Sequence, residues 1–354
     1  MSAVYSRVDK SIHSPVSVES VPAAPYDSPA PTVASVATSP SSTTAPSAAS
    51  STPTSYAPSA ASAVSTSSVH KAGFVIRPLA APLGAEVLDL NLRQPLSDED
   101  FAQIRQAFAN HHVLIFRKQN ITPEQHIDFS RRFGPLQIHV LKQFQLPGHE
   151  EILQISNIKE NGKPIGLGDA GAFWHSDLSY KAVPSLGSLL HARELPDVGG
   201  DTHFSNMHLA WDTLPAALQK TLLPLKAEHT YIKRYEEQRA LAPWRPALTQ
   251  AQLDEVKPVV HPVVVTHPEN GRKALFVNEH FTSRIVGLPQ DESDDLLQEL
   301  FAHSIRPEFI YTHQWQDEDM VFWDNRSVIH LAGGTPDDQR RRLNRTTVEG
   351  TVPV

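Results

Sequence analysis

The pattern of hydrophobic and polar positions changes character near residue 72. Residues 1–71 are dominated by Ser, Ala, Pro and Thr, and they contain few large apolar side chains. Such a segment cannot bury enough apolar surface to offset the entropy lost when it is ordered. We therefore predict a disordered tail over residues 1–71 and one folded domain over residues 72–354.

Two helices are predicted near the start of the folded domain from their capping residues. Ser97 precedes an acidic turn, which is typical of a helix N-cap. Thr122 is followed by Gln125 at the capping-box position, and the helical pattern runs from there to Gly134. The apolar run at residues 113–118 lies between the two helices and predicts a short buried strand.

Beyond these helices the chain consists mostly of short apolar runs. The strand-like runs are EILQIS, LGSLLHA, HPVVVTH, KALFVN, EFIYTHQW, MVFW and RLNRTTVEG. Two later stretches have a helical pattern, MHLAWDTLPAALQKTLL and DESDDLLQELFAHS. Many short strands with few helices predict a mainly β domain with flanking helices, arranged as a sandwich or barrel.

Charge and composition restrict the partners and the chemistry. The formal net charge of −8 argues against a surface for nucleic acid or for an anionic membrane. No apolar run is long enough to span a membrane, and we recognise no secretion or anchor signal, so we expect a cytoplasmic protein. Because the chain has no cysteine but has 18 histidines, a metal site would have to use imidazole and carboxylate ligands.

His175 and Asp177 form the core of a candidate metal site. They stand on alternate positions of AFWHSDLSYKAVPS, and in an extended strand they would point to one face while Ser176 points away. Such a pair also occurs in ordinary strands with a polar edge, so a third ligand is needed. The candidate is His330 in FWDNRSVIH. Two histidines and one carboxylate are the ligand set of non-haem Fe(II) oxygenases, which keep positions open for a co-substrate and O₂.

Two arginines downstream of the third ligand strengthen this hypothesis. In DDQRRRLNRTTVEG, Arg341 and Arg345 share one face of a strand at period two, and we expect Arg340 and Arg342 to be solvated. A guanidinium grips a carboxylate through two parallel hydrogen bonds, and a buried one is costly unless it is paired. Two inward arginines beside a metal therefore predict two bound anions.

These motifs together resemble those of the Fe(II)/2-oxoglutarate-dependent dioxygenases of the taurine dioxygenase group, which includes alkylsulfatases and 2,4-dichlorophenoxyacetate oxygenase. The resemblance covers about residues 74–349 and rests on WHSD, LPDVGGDTHFSN, HPVVVTHPENGRKALFVNEHFTSRIVGL, RPEF, WDNRSVIH and RRRLNRTT. It implies a double-stranded β-helix, or jelly roll. It also implies an enzyme that uses Fe(II), 2-oxoglutarate and O₂, with His175, Asp177 and His330 as the iron ligands.

The resemblance also assigns the residues around the metal. Arg341 and Thr202 match the residues that hold the C5 carboxylate of 2-oxoglutarate. Arg345 and His139 match the residues that hold the sulfonate of taurine. An anionic small-molecule substrate is therefore expected, and a homo-oligomer, dimer or tetramer, is common among relatives.

The rest of the substrate pocket departs from the taurine pattern. Lys142 and Gly171 replace a tyrosine and an asparagine near the substrate amine, although Lys142 could instead point to solvent. Tyr180 and Tyr235 replace two aromatic residues, and Leu178 is assigned to the same pocket. Taurine itself is therefore not the expected substrate.

Three hypotheses for function follow from this reading. The leading one is hydroxylation of a sulfonate or alkyl sulfate, with release of sulfite or sulfate, succinate and CO₂. The second is hydroxylation of a carboxylate, such as an aryloxyalkanoate or an amino-acid-like metabolite. The third is a jelly-roll binding protein without turnover. A zinc hydrolase is disfavoured because the paired arginines would have no purpose in it.

Overall fold

The structure is a computed structural model that describes residues 73–168, 170–241 and 246–354. The tail predicted for residues 1–71, and the domain boundary that follows it, lie outside the described residues. Within the described ranges strands predominate over helices, as the sequence predicts. None of the helices in these ranges is both long and apolar enough to cross a membrane.

The described part of the chain contains the following regular elements. The strands are β1 Val75–Pro78, β2 Ala85–Leu88, β3 Val113–Phe116, β4 Gln145–Leu146, β5 His149–Ser156, β6 Lys159–Glu160, β7 Lys163–Pro164, β8 Ser185–Glu194, β9 Thr202–Asn206, β10 Lys226–His229, β11 Val259–Pro262, β12 Val264–Thr266, β13 Lys273–Leu275, β14 Thr282–Ile285, β15 Ile310–His313, β16 Met320–Asp324, β17 Val328–Ala332 and β18 Arg342–Glu349. The α-helices are α1 Asp98–His111, α2 Pro123–Arg131, α3 Met207–Asp212, α4 Ala216–Leu222, α5 Ile232–Leu241, α6 Gln250–Glu255 and α7 Gln290–Ser304. Two short 3-10 segments cover Lys142–Phe144 and Pro307–Phe309.

Two sheets form the frame of the domain. The larger has eight strands in the order β1-β2-β3-β16-β8-β18-β5-β4, and all its pairs are antiparallel except β2 with β3. The smaller has the order β15-β9-β17 and is antiparallel. Further pairs and a short sheet, β11-β10-β14, complete the strand pairing described.

The larger sheet separates two apolar layers, and strand β16 shows how. Phe322 points towards the helices and stacks on Phe108 of α1 with ring centroids 3.8 Å apart. The next residue, Trp323, points to the opposite face, where its ring centroid lies 5.6 Å from that of Phe204 in the smaller sheet. This alternation follows from the two-residue period of a strand. The second layer therefore lies between the two sheets.

The caps predicted from the sequence are confirmed. The Ser97 side chain accepts a backbone N–H in the first turn of α1, and Thr122 and Gln125 form a capping box on α2. Helix α2 ends at Arg131, however, and does not continue to Gly134. The reason is that the chain tightens after Arg131 into turns bonded from residue i to residue i+3.

Three segments depart from the sequence-based prediction. The run HPVVVTH is divided at Val263 between β11 and β12, which belong to different sheets. The predicted helix MHLAWDTLPAALQKTLL is interrupted by Pro215 and becomes α3 and α4, because proline cannot continue a helical hydrogen-bond ladder. Helices α5 and α6 were not predicted, although Thr249 and Gln252 form a capping box on α6 that the sequence displays.

Candidate metal centre

His175, Asp177 and His330 converge at one buried point. One ligand atom of each side chain lies within 4.8 Å of those of the other two. Nε2 of His175 is 3.5 Å from Oδ1 of Asp177, and Nε2 of His330 is 3.9 Å from Oδ2 of the same carboxylate. The pair adjacent in sequence and the distant histidine are thus brought together as predicted.

The local structure around the pair differs from the predicted strand. His175 forms a single antiparallel bridge with His330, in which the two residues exchange backbone hydrogen bonds of 3.0 and 2.8 Å. The chain then turns, and Leu178 has a φ of 59°. Residues directly opposite across an antiparallel bridge place their side chains on the same face. The backbone bridge therefore brings the two imidazole rings together, with centroids 4.1 Å apart.

Hydrogen bonding leaves the His175 ring ready to bind a metal through Nε2. Its Nδ1 lies 2.9 Å from the carbonyl of Phe173 and 3.1 Å from that of His330. Since carbonyl oxygens only accept, Nδ1 carries the hydrogen and the lone pair is on Nε2. Burial, together with the neighbouring His175, holds the pKa of His330 well below its usual value. A neutral imidazole is the form that binds metals.

The Asp177 carboxylate is held in its ionised form. The Ser188 hydroxyl donates to Oδ2 at 2.6 Å, and Nη1 of Arg345 donates to Oδ1 at 3.2 Å. Burial by itself would raise the pKa of Asp177, but the charge of Arg345 and the interactions with His330 and His175 hold this pKa well below its usual range. A buried carboxylate beside two imidazoles is a donor set that fits Fe(II).

A cavity opens beside the three ligands, between the two sheets. Its lining contains Ile155, Ala170, Gly171, His175, Leu190, Thr202, Trp323, His330, Ala332, Arg341 and Arg345. The larger sheet contributes Ile155 and Leu190, and the smaller contributes Thr202 and Ala332. Gly171 fits because a Cβ at this position would lie only 3.3 Å from Cε1 of His175.

Arg341 is a buried cation at this cavity. Its Nε has no hydrogen-bond partner among the residues described, and its guanidinium carbon lies 5.9 Å from the ring centroid of Trp315. Burial lowers the pKa of Arg341 to about 10, although the charge of Asp201 partly opposes this effect. Trp315 also donates through Nε1 to Oγ1 of Thr202 at 3.0 Å. An arginine with spare donors, next to a threonine hydroxyl, suits a carboxylate.

The arginine-rich segment agrees with its spacing at Arg340, Arg341 and Arg345, but Arg342 is half-buried and not solvated as predicted. Arg341 lies just before β18, and Arg345 lies within it, yet both line the cavity. The pairing with β8 shifts register between Arg342 and Leu343. Arg340 is exposed and forms an ion pair with Glu194, as expected for a solvated residue.

His139 lies near Arg345 and acts as a neutral hydrogen-bond donor. Its Nδ1 accepts the backbone N–H of Leu141 at 3.1 Å, so Nε2 carries the hydrogen. Burial and the charges of Arg345 and Lys181 lower the pKa of His139 to about 3. The ring can therefore donate to an anion without itself being charged.

Aromatic and apolar residues pack beside the candidate metal ligands, next to the segment that follows Asp177 in the chain. Tyr180 is buried, and its ring lies 4.7 Å from that of Tyr231 and 4.8 Å from that of Phe281. Leu178 belongs to the same buried cluster, and the Phe281 ring lies 6.1 Å from that of His175. The apolar wall is thus adjacent to the metal ligands.

The other two residues assigned to the substrate pocket, Tyr235 and Lys142, do not line the cavity. Tyr235 is buried in α5, its ring lies 5.4 Å from that of Tyr231, and its hydroxyl donates to the carbonyl of Pro246 at 2.8 Å. Lys142 is exposed on a 3-10 segment and is not among the residues that line the cavity beside the metal ligands. The solvent-facing alternative for Lys142 agrees with this exposure.

Sequence reasoning missed several residues that contact the site. They are Ser188, Tyr231, Phe281, Trp315 and Asn325. None stands next to a metal ligand in the sequence, and they reach the site through sheet pairing or loop packing. Two of them had a visible signal, because Asn325 lies within the WDNRSVIH motif and Phe281 within the motif of residues 261–288.

The chain matches a protein family and several of its members. A family model described as "Taurine catabolism dioxygenase TauD, TfdA family" matches residues 76–347. The chain is 37% identical over 284 residues to the alpha-ketoglutarate-dependent 2,4-dichlorophenoxyacetate dioxygenase of Cupriavidus pinatubonensis, covering 77% of this chain and 96% of that protein. It is 31% identical over 290 residues to an alkylsulfatase of Acinetobacter baylyi, covering 78% and 85%. The crystal structure of a taurine dioxygenase from Burkholderia xenovorans superposes with a TM-score of 0.66 at 33% identity, covering 80% of this chain and 91% of that one.

Proposed function

We propose a substrate class for this chain from the premise that it belongs to the taurine catabolism dioxygenase TauD, TfdA family. It is an alpha-ketoglutarate-dependent dioxygenase, and it uses Fe(II), 2-oxoglutarate and O₂. Its fold is mostly strands with some helices, and we propose that the two facing sheets form the family's double-stranded β-helix. The oligomeric state and the cytoplasmic location expected from the sequence remain predictions.

We infer that His175, Asp177 and His330 hold the iron. Their convergence, their burial and the free Nε2 lone pair of His175 support this assignment. When bound there, Fe(II) supplies the activation of O₂ that couples decarboxylation of 2-oxoglutarate to oxidation of a substrate C–H bond. The chain contributes a carboxylate held by Ser188 and Arg345, two imidazoles brought together by a backbone bridge, and a cavity beside them.

Arg341 and Thr202 are proposed to bind the distal carboxylate of 2-oxoglutarate. The support is the spare hydrogen-bonding capacity of Arg341 at a cavity that His175 and His330 also line. Trp315 fixes the Thr202 hydroxyl and faces the guanidinium. A dicarboxylate that reaches from the metal ligands to Arg341 would neutralise a buried positive charge, which favours its binding.

Arg345 and His139 are proposed to bind the anionic head group of the primary substrate. Arg345 contacts Asp177, and the neutral His139 lies near Arg345, so together they suit a singly charged anion. The apolar wall of Leu178, Tyr180 and Phe281 suits an aromatic or bulky apolar body. We therefore favour a carboxylate attached to such a body, as in an aryloxyalkanoate.

A second candidate substrate is an alkyl sulfate. Alkyl sulfates and sulfonates were the leading substrate classes from the sequence alone. The observation that favours it is the 31% identity to an alkylsulfatase. Arg345 and His139 would serve a sulfate as well as a carboxylate, so the anion site does not separate the two classes. Hydroxylation of the carbon next to the ester oxygen would release sulfate and an aldehyde.

A substrate panel separates these candidates. Purified protein with Fe(II), 2-oxoglutarate and O₂ is given aryloxyalkanoates, alkyl sulfates and sulfonates, and succinate is measured. We expect the highest kcat/KM with an aryloxyalkanoate and no sulfate-releasing substrate within tenfold of it. A clear preference for a sulfate or sulfonate contradicts the proposed class, and absence of succinate with every compound contradicts turnover of these classes.

The Arg345→Met variant tests the anion site directly. We expect KM for the best substrate to rise roughly 50-fold, because the variant loses a pair of charge-assisted hydrogen bonds to the substrate anion. Because Arg345 also contacts Asp177, Mn(II) affinity is measured in the same variant. Arg340→Met is the matched control, since Arg340 is exposed and pairs with Glu194. An unchanged KM in Arg345→Met contradicts the anion assignment.

A further inference from the structure

Asn325 lies behind the metal centre, in the connection between β16 and β17, and it is almost completely buried. We propose that Asn325 is a positioning residue that fixes the two separate halves of the metal centre relative to one another. The inference rests on the iron site assigned under the proposed function. It concerns a side chain that contacts neither the metal position nor the cavity beside it.

The first half of the centre is held by Asn325 through two hydrogen bonds. The Ser176 hydroxyl donates to the backbone carbonyl of Asn325 at 2.7 Å. The backbone N–H of Asp177 donates to Oδ1 of Asn325 at 3.2 Å. The segment that carries the first two ligands has only one bridge pair of its own, so it lacks a sheet ladder that would fix Asp177. Asn325 supplies the missing constraint.

Asn325 acts on His330, the ligand in the second half of the centre, through Trp323. Its indole Nε1 donates to the same Oδ1 of Asn325 at 3.0 Å. The Trp323 ring lies 4.6 Å from that of His330 and forms part of the wall against which this imidazole packs. One carboxamide oxygen therefore accepts a hydrogen bond from the backbone beside one metal ligand and from the side chain that packs on another.

The carboxamide of Asn325 can adopt only one orientation. Its Nδ2 donates to Oγ of Ser185 at 2.9 Å, and its backbone N–H donates to the carbonyl of Leu186 at 3.0 Å. If the amide were flipped, NH₂ would face two N–H donors, from Asp177 and Trp323. The site requires an acceptor on one side and a donor on the other within a short side chain, and asparagine meets that requirement.

The experiment measures Mn(II) affinity and stability in the same variants, so a positioning role can be separated from a purely structural one. Asn325→Leu keeps the branching of the side chain at Cγ but removes the acceptor and the donor, and the control below carries the same change in size. We expect Mn(II) to bind 10- to 100-fold more weakly, which is the usual effect of losing a residue that orients metal ligands. The full chain is used, without 2-oxoglutarate, and free Mn(II) is followed by electron paramagnetic resonance.

Asn270→Leu is the matched control. The Asn270 amide donates to the carbonyl of Ala109 and accepts the backbone N–H of Arg272, and none of these groups belongs to the metal centre. We expect this control to lower the thermal unfolding midpoint while Mn(II) affinity stays within twofold of wild type. Wild-type Mn(II) affinity in Asn325→Leu, with a lowered unfolding midpoint, overturns the proposal.

If Asn325→Leu does not fold, Ser185→Ala decides the question. It removes the acceptor that orients the carboxamide, together with a hydrogen bond of the same hydroxyl to the carbonyl of Gly187. We expect a three- to tenfold loss of Mn(II) affinity, and unchanged affinity overturns the proposal. Failure of the metal site itself is a different result. The metal-site assignment itself would be contradicted if the wild-type protein did not bind Mn(II), or if His175→Ala bound Mn(II) with wild-type affinity.

Discussion

Replacing Arg341 with methionine is expected to weaken 2-oxoglutarate binding and to stabilise the ligand-free protein. Methionine is a flexible, unbranched side chain of similar reach but without charge. The two effects have opposite signs because Arg341 is a buried cation whose Nε finds no partner among the described residues. Only a residue kept for a ligand would show this combination.

The magnitude follows from the environment of the guanidinium. Burial lowers the pKa of Arg341 from 12.5 to about 10, which corresponds to about 3 kcal/mol by which the site disfavours the charged form. Losing the contact with the Trp315 ring lowers the free energy of unfolding by roughly 0.5–1 kcal/mol and so offsets part of this gain. We therefore expect the free energy of unfolding to rise by about 2 kcal/mol. Losing a charge-assisted pair to a carboxylate costs about 3 kcal/mol, or roughly a 100-fold increase in Kd for 2-oxoglutarate.

Two measurements check this prediction. Calorimetric titration of 2-oxoglutarate into the Mn(II)-loaded protein without O₂ gives Kd, and urea unfolding of the ligand-free protein gives the free energy of unfolding. Arg340→Met is the control, because the adjacent Arg340 is exposed and paired with Glu194. We expect it to change neither quantity by more than experimental scatter.

Either of two results would contradict this prediction. If Arg341→Met destabilises the ligand-free protein by more than about 1 kcal/mol, the guanidinium is a structural element and not a strained cation. If Kd for 2-oxoglutarate stays within threefold of wild type, Arg341 does not bind the co-substrate. In both cases the cavity beside the histidines needs a different ligand.

Two further predictions concern buried polar groups. Ser188→Ala removes the hydroxyl that donates to Asp177 at 2.6 Å, and we expect Mn(II) affinity to fall about tenfold; unchanged affinity would show that Arg345 alone orients the carboxylate. Lowering the pH from 7 to 5 is expected to destabilise the ligand-free protein. Besides His139, burial lowers the pKa of three further histidines to about 3, whereas in the unfolded chain they titrate near 6.5. These are His112, His126 and His229. Since the unfolded state binds the extra protons, stability is complete above pH 6.5 and is lost as the pH falls towards 3, by up to about 1.4 kcal/mol per pH unit for each histidine. Urea unfolding at pH 7, 6 and 5 measures the slope, and a flat profile contradicts the burial argument.

The residues of the candidate site that could be read from the sequence share one property. Each is recognisable by its chemical type together with its spacing from a neighbour, as with His175 and Asp177, or Arg341 and Arg345. Metal and carboxylate chemistry limits the useful residue types, so such patterns carry information without a structure. Caps such as Ser97 and Thr122 were predictable for a similar reason, because they act within one helical turn.

The contacts missed by sequence reasoning depend on distant parts of the chain. Ser188 meets Asp177 because β8 lies between β16 and β18 in the larger sheet, and Asn325 meets it because the β16–β17 connection lies behind the metal ligands. The predicted strand at His175 was wrong because a single bridge with His330, not an alternating ladder, sets its backbone.

The sequence by itself therefore determined the class of fold, the starts of α1 and α2, and the candidate residues for a metal and a carboxylate. The tertiary structure alone decided which side chains orient those ligands, that Lys142 is exposed, and that an aromatic wall lies beside Asp177. The physical reason is the distance along the chain over which each interaction acts. Periodicity and capping act within a few residues, whereas ligand orientation and pocket shape depend on how strands far apart in the chain are paired.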